Sequence, residues 1–142
     1  MEEKPEFKEV QRIPLKLNLA ISLLVGAFSI IYWPSILYAT AIFSLLYLIK
    51  METRVGNGKL KIKFFPFHLN FTEAKISDTE QVEKTEFGYL TYGGIGIRWT
   101  LNTKAYLTKP GKGIKLTREQ SKNLVIGSER PGELKNELES II

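Results

Sequence analysis

A stretch of 33 residues from Leu17 to Ile49 contains no aspartate, glutamate, lysine, arginine or histidine. One helix over this stretch would be roughly 50 Å long at about 1.5 Å per residue, whereas the hydrocarbon core of a bilayer is roughly 30 Å thick. Proline lacks a backbone donor and disfavours helical geometry in the residue before it, so Trp33-Pro34 is the natural break. The sequence therefore predicts two short transmembrane helices that form a hairpin, from about Leu15 to Tyr32 and from about Pro34 to Ile49.

The positive charges beside this stretch predict its orientation. Arg12 and Lys16 precede the first predicted span, Lys50 and Arg54 follow the second, and the connecting turn carries no charge. Loops on the cytoplasmic side of a membrane carry an excess of lysine and arginine. We therefore expect a two-span protein of the cell membrane with both termini in the cytoplasm.

The rest of the chain predicts one further domain. Residues 1–14 form a charged N-terminal segment, residues 15–50 the hairpin, and residues 51–142 a cytoplasmic domain large enough for a single hydrophobic core. The chain has no cysteine, which excludes disulfides and thiolate metal sites. Its formal charge of +5 is too small to predict nucleic-acid binding without basic clusters interleaved with aromatic residues.

Alternating polar and apolar residues predict that this domain consists mainly of strands. Lys59–Phe64 alternates without error, and Gly56-Asn57-Gly58 before it predicts a turn that pairs it with Met51–Val55. Similar patterns elsewhere in the domain predict about seven strands in all. Gln81–Phe87 is predicted as a strand or a turn, and the further predicted strands are His68–Ile76, Gly93–Leu101, Lys104–Thr108, Ile114–Thr117 and Asn123–Ile126.

One helix is predicted at the C-terminal end. Ser128 is a suitable N-cap, Pro131 falls in the first turn, and Leu134, Leu138 and Ile141 recur at helical spacing. Many short strands followed by one amphipathic helix predict an α+β domain. Its strands would form either a partly open β-barrel or a pair of bent sheets, with the helix covering one end.

The order of three motifs resembles that of a known family. The chain is similar to small prokaryotic two-span membrane proteins that carry a bacterial pleckstrin-homology (PH)-like domain. The resemblance implies a PH-like β-barrel of seven bent strands with a C-terminal helix, and little about activity. It rests on Gly93-Gly94-Ile95-Gly96-Ile97-Arg98, on Ala105-Tyr106 ahead of Gly111-Lys112-Gly113-Ile114-Lys115-Leu116, and on Ile126-Gly127-Ser128-Glu129-Arg130-Pro131 ahead of Leu134.

Basic residues provide the candidate binding sites. Lysines alternate along the strand that follows the second span, and each cation near an anionic leaflet contributes up to about 1 kcal/mol. A solvated strand face, whose lysines deter edge pairing, is the alternative interpretation. Arg98 is a candidate contact for an anion or a carboxylate; in the alternative it only forms the solvated side of a strand, opposite Ile97 and Trp99. The candidates for lipid-surface contact are Lys50, Arg54, Lys59, Lys61 and Lys63.

A catalytic site is not predicted. The chain has one histidine, His68, and no cysteine, so it offers no thiol nucleophile and no histidine-rich metal site, and no cofactor is expected. We expect a membrane protein whose PH-like domain binds or scaffolds a protein partner or anionic lipid. In the alternative, the hairpin itself works as an accessory or oligomeric membrane subunit, and the domain regulates it. The expected partners are the lipid bilayer and an unidentified protein, with further copies of the chain as an open alternative, and no nucleic acid.

Overall fold

The computed structural model describes residues 4–27 and 30–142. These residues form an α+β structure of nine strands and three helices. The strands are β1 (Phe7–Arg12), β2 (Lys50–Gly56), β3 (Lys59–Phe65), β4 (Thr72–Ala74), β5 (Thr79–Phe87), β6 (Gly96–Trp99), β7 (Thr103–Leu107), β8 (Gly111–Arg118) and β9 (Asn123–Gly127). The helices are α1 (Leu15–Ala27), α2 (Ser35–Leu48) and α3 (Pro131–Glu139).

The strands form two separate sheets. The first sheet has the order β1-β2-β3-β4 and is antiparallel throughout. The second sheet has the order β5-β8-β9-β7-β6, with one parallel pair where β9 lies beside β7. One cluster of buried apolar side chains takes residues from both sheets and from α3. The core therefore lies between the sheets, and α3 closes it.

The predicted β-barrel is wrong. Within residues 4–27 and 30–142 the strands belong to two sheets with different edge strands, β1 and β4 in the first and β5 and β6 in the second. Two strand predictions were also too long. His68–Ile76 contributes only β4, and Gly93–Leu101 only β6, because the backbone bends through turns before each of these strands.

Other strands follow their sequence pattern closely. Residues of β2 and β3 alternate between buried and partly exposed positions, as strict polar and apolar alternation predicts for sheets with one covered face. The β9 strand is buried along most of its length, because it lies in the centre of the second sheet between β8 and β7. The register of β2 on β3 places Val55 opposite Leu60 and Met51 opposite Phe64, all four buried.

The strand β1 lies in the N-terminal segment of residues 1–14, for which the sequence analysis predicted no strand. β1 pairs with β2 along its whole length, so the first sheet takes strands from both sides of the hairpin. Its inward positions include Glu9 and Gln11, which are polar and buried. These two side chains are hydrogen-bonded to the far end of the chain. Glu9 Oε2 accepts from Ser128 Oγ at 2.6 Å, and Gln11 Nε2 donates to the Gly127 carbonyl at 3.0 Å.

The C-terminal helix forms where it was predicted. α3 begins at Pro131, and Leu134 and Leu138 of its apolar stripe are fully buried. The prediction of Ser128 as its N-cap is wrong, because Arg130 occupies the capping position. Ser128 Oγ instead bonds Glu9 and accepts a hydrogen bond from the Arg130 backbone N–H at 3.0 Å.

The two apolar helices pack against each other as a hairpin. Asn18 Nδ2 on α1 donates to the carbonyl of Phe43 on α2, and a Cβ placed on Gly26 would lie 3.8 Å from the Ala39 side chain. The hydroxyls of Thr40 and Ser44 donate to backbone carbonyls one turn earlier. Most large apolar side chains of the hairpin remain exposed, for example Leu23 at 72% and Leu37 at 62%.

The prediction of membrane-spanning helices is wrong. α1 has 13 residues and α2 has 14, so each is about 20 Å long at 1.5 Å per residue. None of the helices in the described parts of the chain is long and apolar enough to cross a membrane. The assignment as a two-span protein of the cell membrane with cytoplasmic termini is therefore wrong, and so are both functions that were built on it.

Candidate apolar ligand site

A cleft of about 520 Å³ lies where the hairpin meets the two sheets. Apolar side chains from three parts of the chain line it: Ile21 and Leu46 from the helices, Phe64 from β3, and Ile97 from β6. Ligand pockets in proteins usually have volumes of about 300 to 1,000 Å³ and are mostly apolar with a few polar groups. The cleft has the size and lining of a site for a small apolar ligand.

The strand β6 forms one wall of the cleft and lies at the edge of its sheet. Ile97 is half-buried, whereas Trp99 is 63% exposed although it lines the cleft. Lys104 on β7 holds its ammonium 5.5 Å from the centre of the Trp99 ring and 5.0 Å from that of Tyr106. Because Trp99 lines the cleft and is largely exposed, a ligand bound in the cleft would contact its indole ring.

Arg98 contributes the one formal charge of the lining within the described part of the chain. Its side chain is exposed, and its Nε donates to the Ile95 carbonyl at 3.0 Å. A Cβ on Gly94 would lie 3.3 Å from Arg98 Nη2, and Gly94 has a φ of +108°, so glycine allows the guanidinium to rest on this backbone. The charge thus lies at the rim of an otherwise apolar cleft.

His68 is the other ionisable residue of the lining. It lies in the turn after β3, where its backbone N–H donates to the Phe64 carbonyl at 2.7 Å and its ring meets the edge of Tyr106. Its Nδ1 is buried without a hydrogen-bond partner among the described residues. Most buried polar atoms have a partner, so this nitrogen is one of the exceptions among the described residues.

The predicted basic face is assembled on the first sheet. Alternation along β2 and β3 brings all five predicted cations to its outer surface, with Arg54 directly opposite Lys61. Two carboxylates and two aromatic rings are interleaved with them. Arg54 lies 2.7 Å from Glu52; Lys59 and Lys61 lie 3.2 and 3.8 Å from Glu73; Arg54 and Lys63 lie over Phe71, and Lys50 over Phe65. Lipid contact by this face stays a prediction.

Glu52 on this face has a lowered pKa. Its partial burial acts to raise the pKa, but the hydrogen bond and charge of Arg54, together with the charge of Lys8 at 3.4 Å, outweigh that effect. A carboxylate whose pKa is lowered on folding stabilises the folded protein above its unfolded pKa. That stabilisation is lost as the pH falls through the folded value.

The Glu52→Gln variant is expected to lose less stability in acid than the unmodified chain, because it lacks this carboxylate. Urea midpoints measured from about pH 6 down to pH 3 should converge for the two proteins at the acid end. Arg54→Gln, which removes the main partner, should reduce the acid sensitivity in the same way. Parallel midpoint curves for Glu52→Gln and the unmodified chain would contradict the assignment.

The structure places the predicted site residues in two groups. The five cations Lys50, Arg54, Lys59, Lys61 and Lys63 share the outer face of the first sheet, while Arg98 lies at the cleft on the second sheet. Sequence reasoning did not identify the cleft. The alternation of Ile95, Ile97 and Trp99 was a usable signal for one wall, but nothing local indicated that the hairpin would cover it.

No group of three or more histidine, aspartate or glutamate side chains is placed to hold a metal ion in residues 4–27 and 30–142.

Comparisons with known proteins do not assign the chain to a family. No family model matches it, and no curated protein or solved structure is significantly similar. The assignment to PH-like membrane proteins is wrong on these findings, since the helices of the described residues are also too short to span a membrane.

Proposed function

We propose that this chain is a binding protein, not an enzyme, and that its ligand is a small molecule with a single hydrocarbon chain. The observation that carries the proposal is the cleft of about 520 Å³ between the hairpin and the sheets. Removing apolar ligand surface from water there is favourable by roughly 25 cal/mol per Å². No serine, threonine, aspartate or glutamate of residues 4–27 and 30–142 lines the cleft, so these residues place no hydroxyl nucleophile or carboxylate base there.

The hairpin extends the apolar lining away from the sheets. Ile21 and Leu46 line the cleft, and neighbouring residues such as Leu45 and Leu24 are exposed. A large exposed apolar patch on a protein surface typically marks an interaction site. A hydrocarbon chain longer than the cleft therefore has apolar surface to follow.

Dodecanol is expected to bind the full-length Trp33→Phe variant, whose one remaining tryptophan is Trp99. Because Trp99 lines the cleft and is 63% exposed, its emission should shift to shorter wavelength and reach a plateau as the ligand covers the ring. In the same background, Leu46→Gln should weaken binding about tenfold, since an unpaired amide in an apolar site costs about 1–3 kcal/mol.

The neighbouring residue offers a matched control. Leu45 is exposed on the same helix and does not line the cleft, so Leu45→Gln should leave the affinity unchanged. Equal loss in both variants would show that dodecanol only adsorbs to the outside of the hairpin. That result, or no shift of Trp99 emission at all, would refute the proposed function.

A further inference from the structure

We infer that the ligand of this cleft carries an anionic head group, a carboxylate or a phosphate, which binds Arg98 at the rim. This inference rests on the proposed function and adds the polar half of the ligand. The charge distribution of the lining supports it. Among the described residues, Arg98 is the one formally charged residue of the lining, and no carboxylate of these residues lines the cleft to oppose it.

The geometry of Arg98 supports recognition of an anion. Its Nε–H is used by the Ile95 carbonyl at 3.0 Å, which fixes the side chain against Gly94. Neither terminal nitrogen has a hydrogen-bond or ion-pair partner among the described residues. A guanidinium held by one bond presents its remaining donors in a planar fork, and this fork matches the oxygens of carboxylates and phosphates.

The position of Arg98 also matches the two halves of an amphiphile. Arg98 lines the cleft and is exposed, whereas Ile97 beside it is half-buried and packs against the core. A head group can therefore keep part of its hydration while the hydrocarbon chain enters the cleft. Free anions lack that chain and would bind weakly, because exposed ion pairs contribute little by themselves.

The test compares four ligands with the same twelve-carbon chain, below their micelle concentrations, on the full-length Trp33→Phe protein. Dodecanoate and dodecyl phosphate should each bind at least about tenfold more tightly than dodecanol, and dodecyltrimethylammonium more weakly than dodecanol. Whichever anion binds more tightly identifies the head group. Arg98→Gln should reduce the affinity for both anions to that of dodecanol.

A second charge variant controls for the overall charge of the protein. Lys112→Gln removes one positive charge from β8, which does not line the cleft, and should leave all four affinities unchanged. If dodecanol binds and the anions bind no more tightly, or if Arg98→Gln binds the anions as well as its parent, the inference is overturned and the proposed function stands. If none of the four ligands binds, the proposed function itself fails.

Discussion

The Gly113→Ala variant is expected to have a much lower free energy of unfolding than the unmodified chain. A Cβ on Gly113 would lie 2.2 Å from the backbone oxygen of Ile126 and 3.0 Å from Cα of Gly127. Both atoms belong to β9, the central strand of the sheet, so no side chain can rotate to make room. Overpacking costs about 1–3 kcal/mol even where side chains can adjust. We therefore expect a loss of about 3 kcal/mol or more in the free energy of unfolding, measured by urea denaturation.

Another glycine supplies the control for this substitution. A Cβ on Gly132, in the first turn of α3, would lie 3.5 Å from Nζ of Lys84, at the end of a flexible side chain. Alanine is favoured over glycine within helices by about 0.5–1 kcal/mol. Gly132→Ala should therefore be neutral or slightly stabilising. A Gly113→Ala protein with the urea midpoint of its parent would show that β8 and β9 are not paired as closely as described.

Local sequence patterns predicted several elements of the fold because each pattern is complete within its own segment. β3 and α3 carry their buried residues at periods of two and about 3.6, and those periods are visible without knowledge of any partner. The same applies to β9, whose apolar run of Leu124, Val125 and Ile126 indicated a strand covered on both faces.

β1 could not be predicted in this way, because its inward residues are polar. Glu9 and Gln11 are buried, and they form hydrogen bonds with Gly127, Ser128 and Glu129, which lie more than a hundred residues away in the sequence. A buried carboxylate is tolerated only where such partners exist. The sequence of β1 alone shows a mixed charged segment, and its strand character depends on contacts that only the folded chain provides.

The two helices show the opposite limitation. Absence of charge from Leu17 to Ile49 correctly indicated apolar helices on either side of Trp33-Pro34, but it did not determine their lengths. α1 ends at Ala27 and α2 at Leu48, which leaves both short of a bilayer's thickness. The cleft beside them is lined by residues of the hairpin, of β6 and of the turn after β3. Its lining therefore combines segments that no local pattern connects.

The Leu138→Asp variant is expected to destabilise the whole core. Leu138 is fully buried on the inner face of α3, in the same cluster as residues of both sheets. An aspartate there would bury an unpaired charge, which costs about 3–5 kcal/mol out of a typical total of about 5–15. For a domain of this size we expect the melting temperature, followed by circular dichroism, to fall by about 10–20 °C.

The same substitution at Ile142 separates loss of core packing from the effect of added charge. Ile142 follows α3 and is 54% exposed, so Ile142→Asp adds an equal charge to the C-terminal end without placing it in the core. Its melting temperature should stay within a few degrees of the unmodified chain, since exposed substitutions usually change stability by about 0.5 kcal/mol or less.

Because α3 contacts β1, β2, β5 and β8, its loss would release both sheets together. Leu138→Asp should therefore unfold in a single transition at reduced temperature. A cooperative melt at the normal temperature would mean that α3 does not close the core.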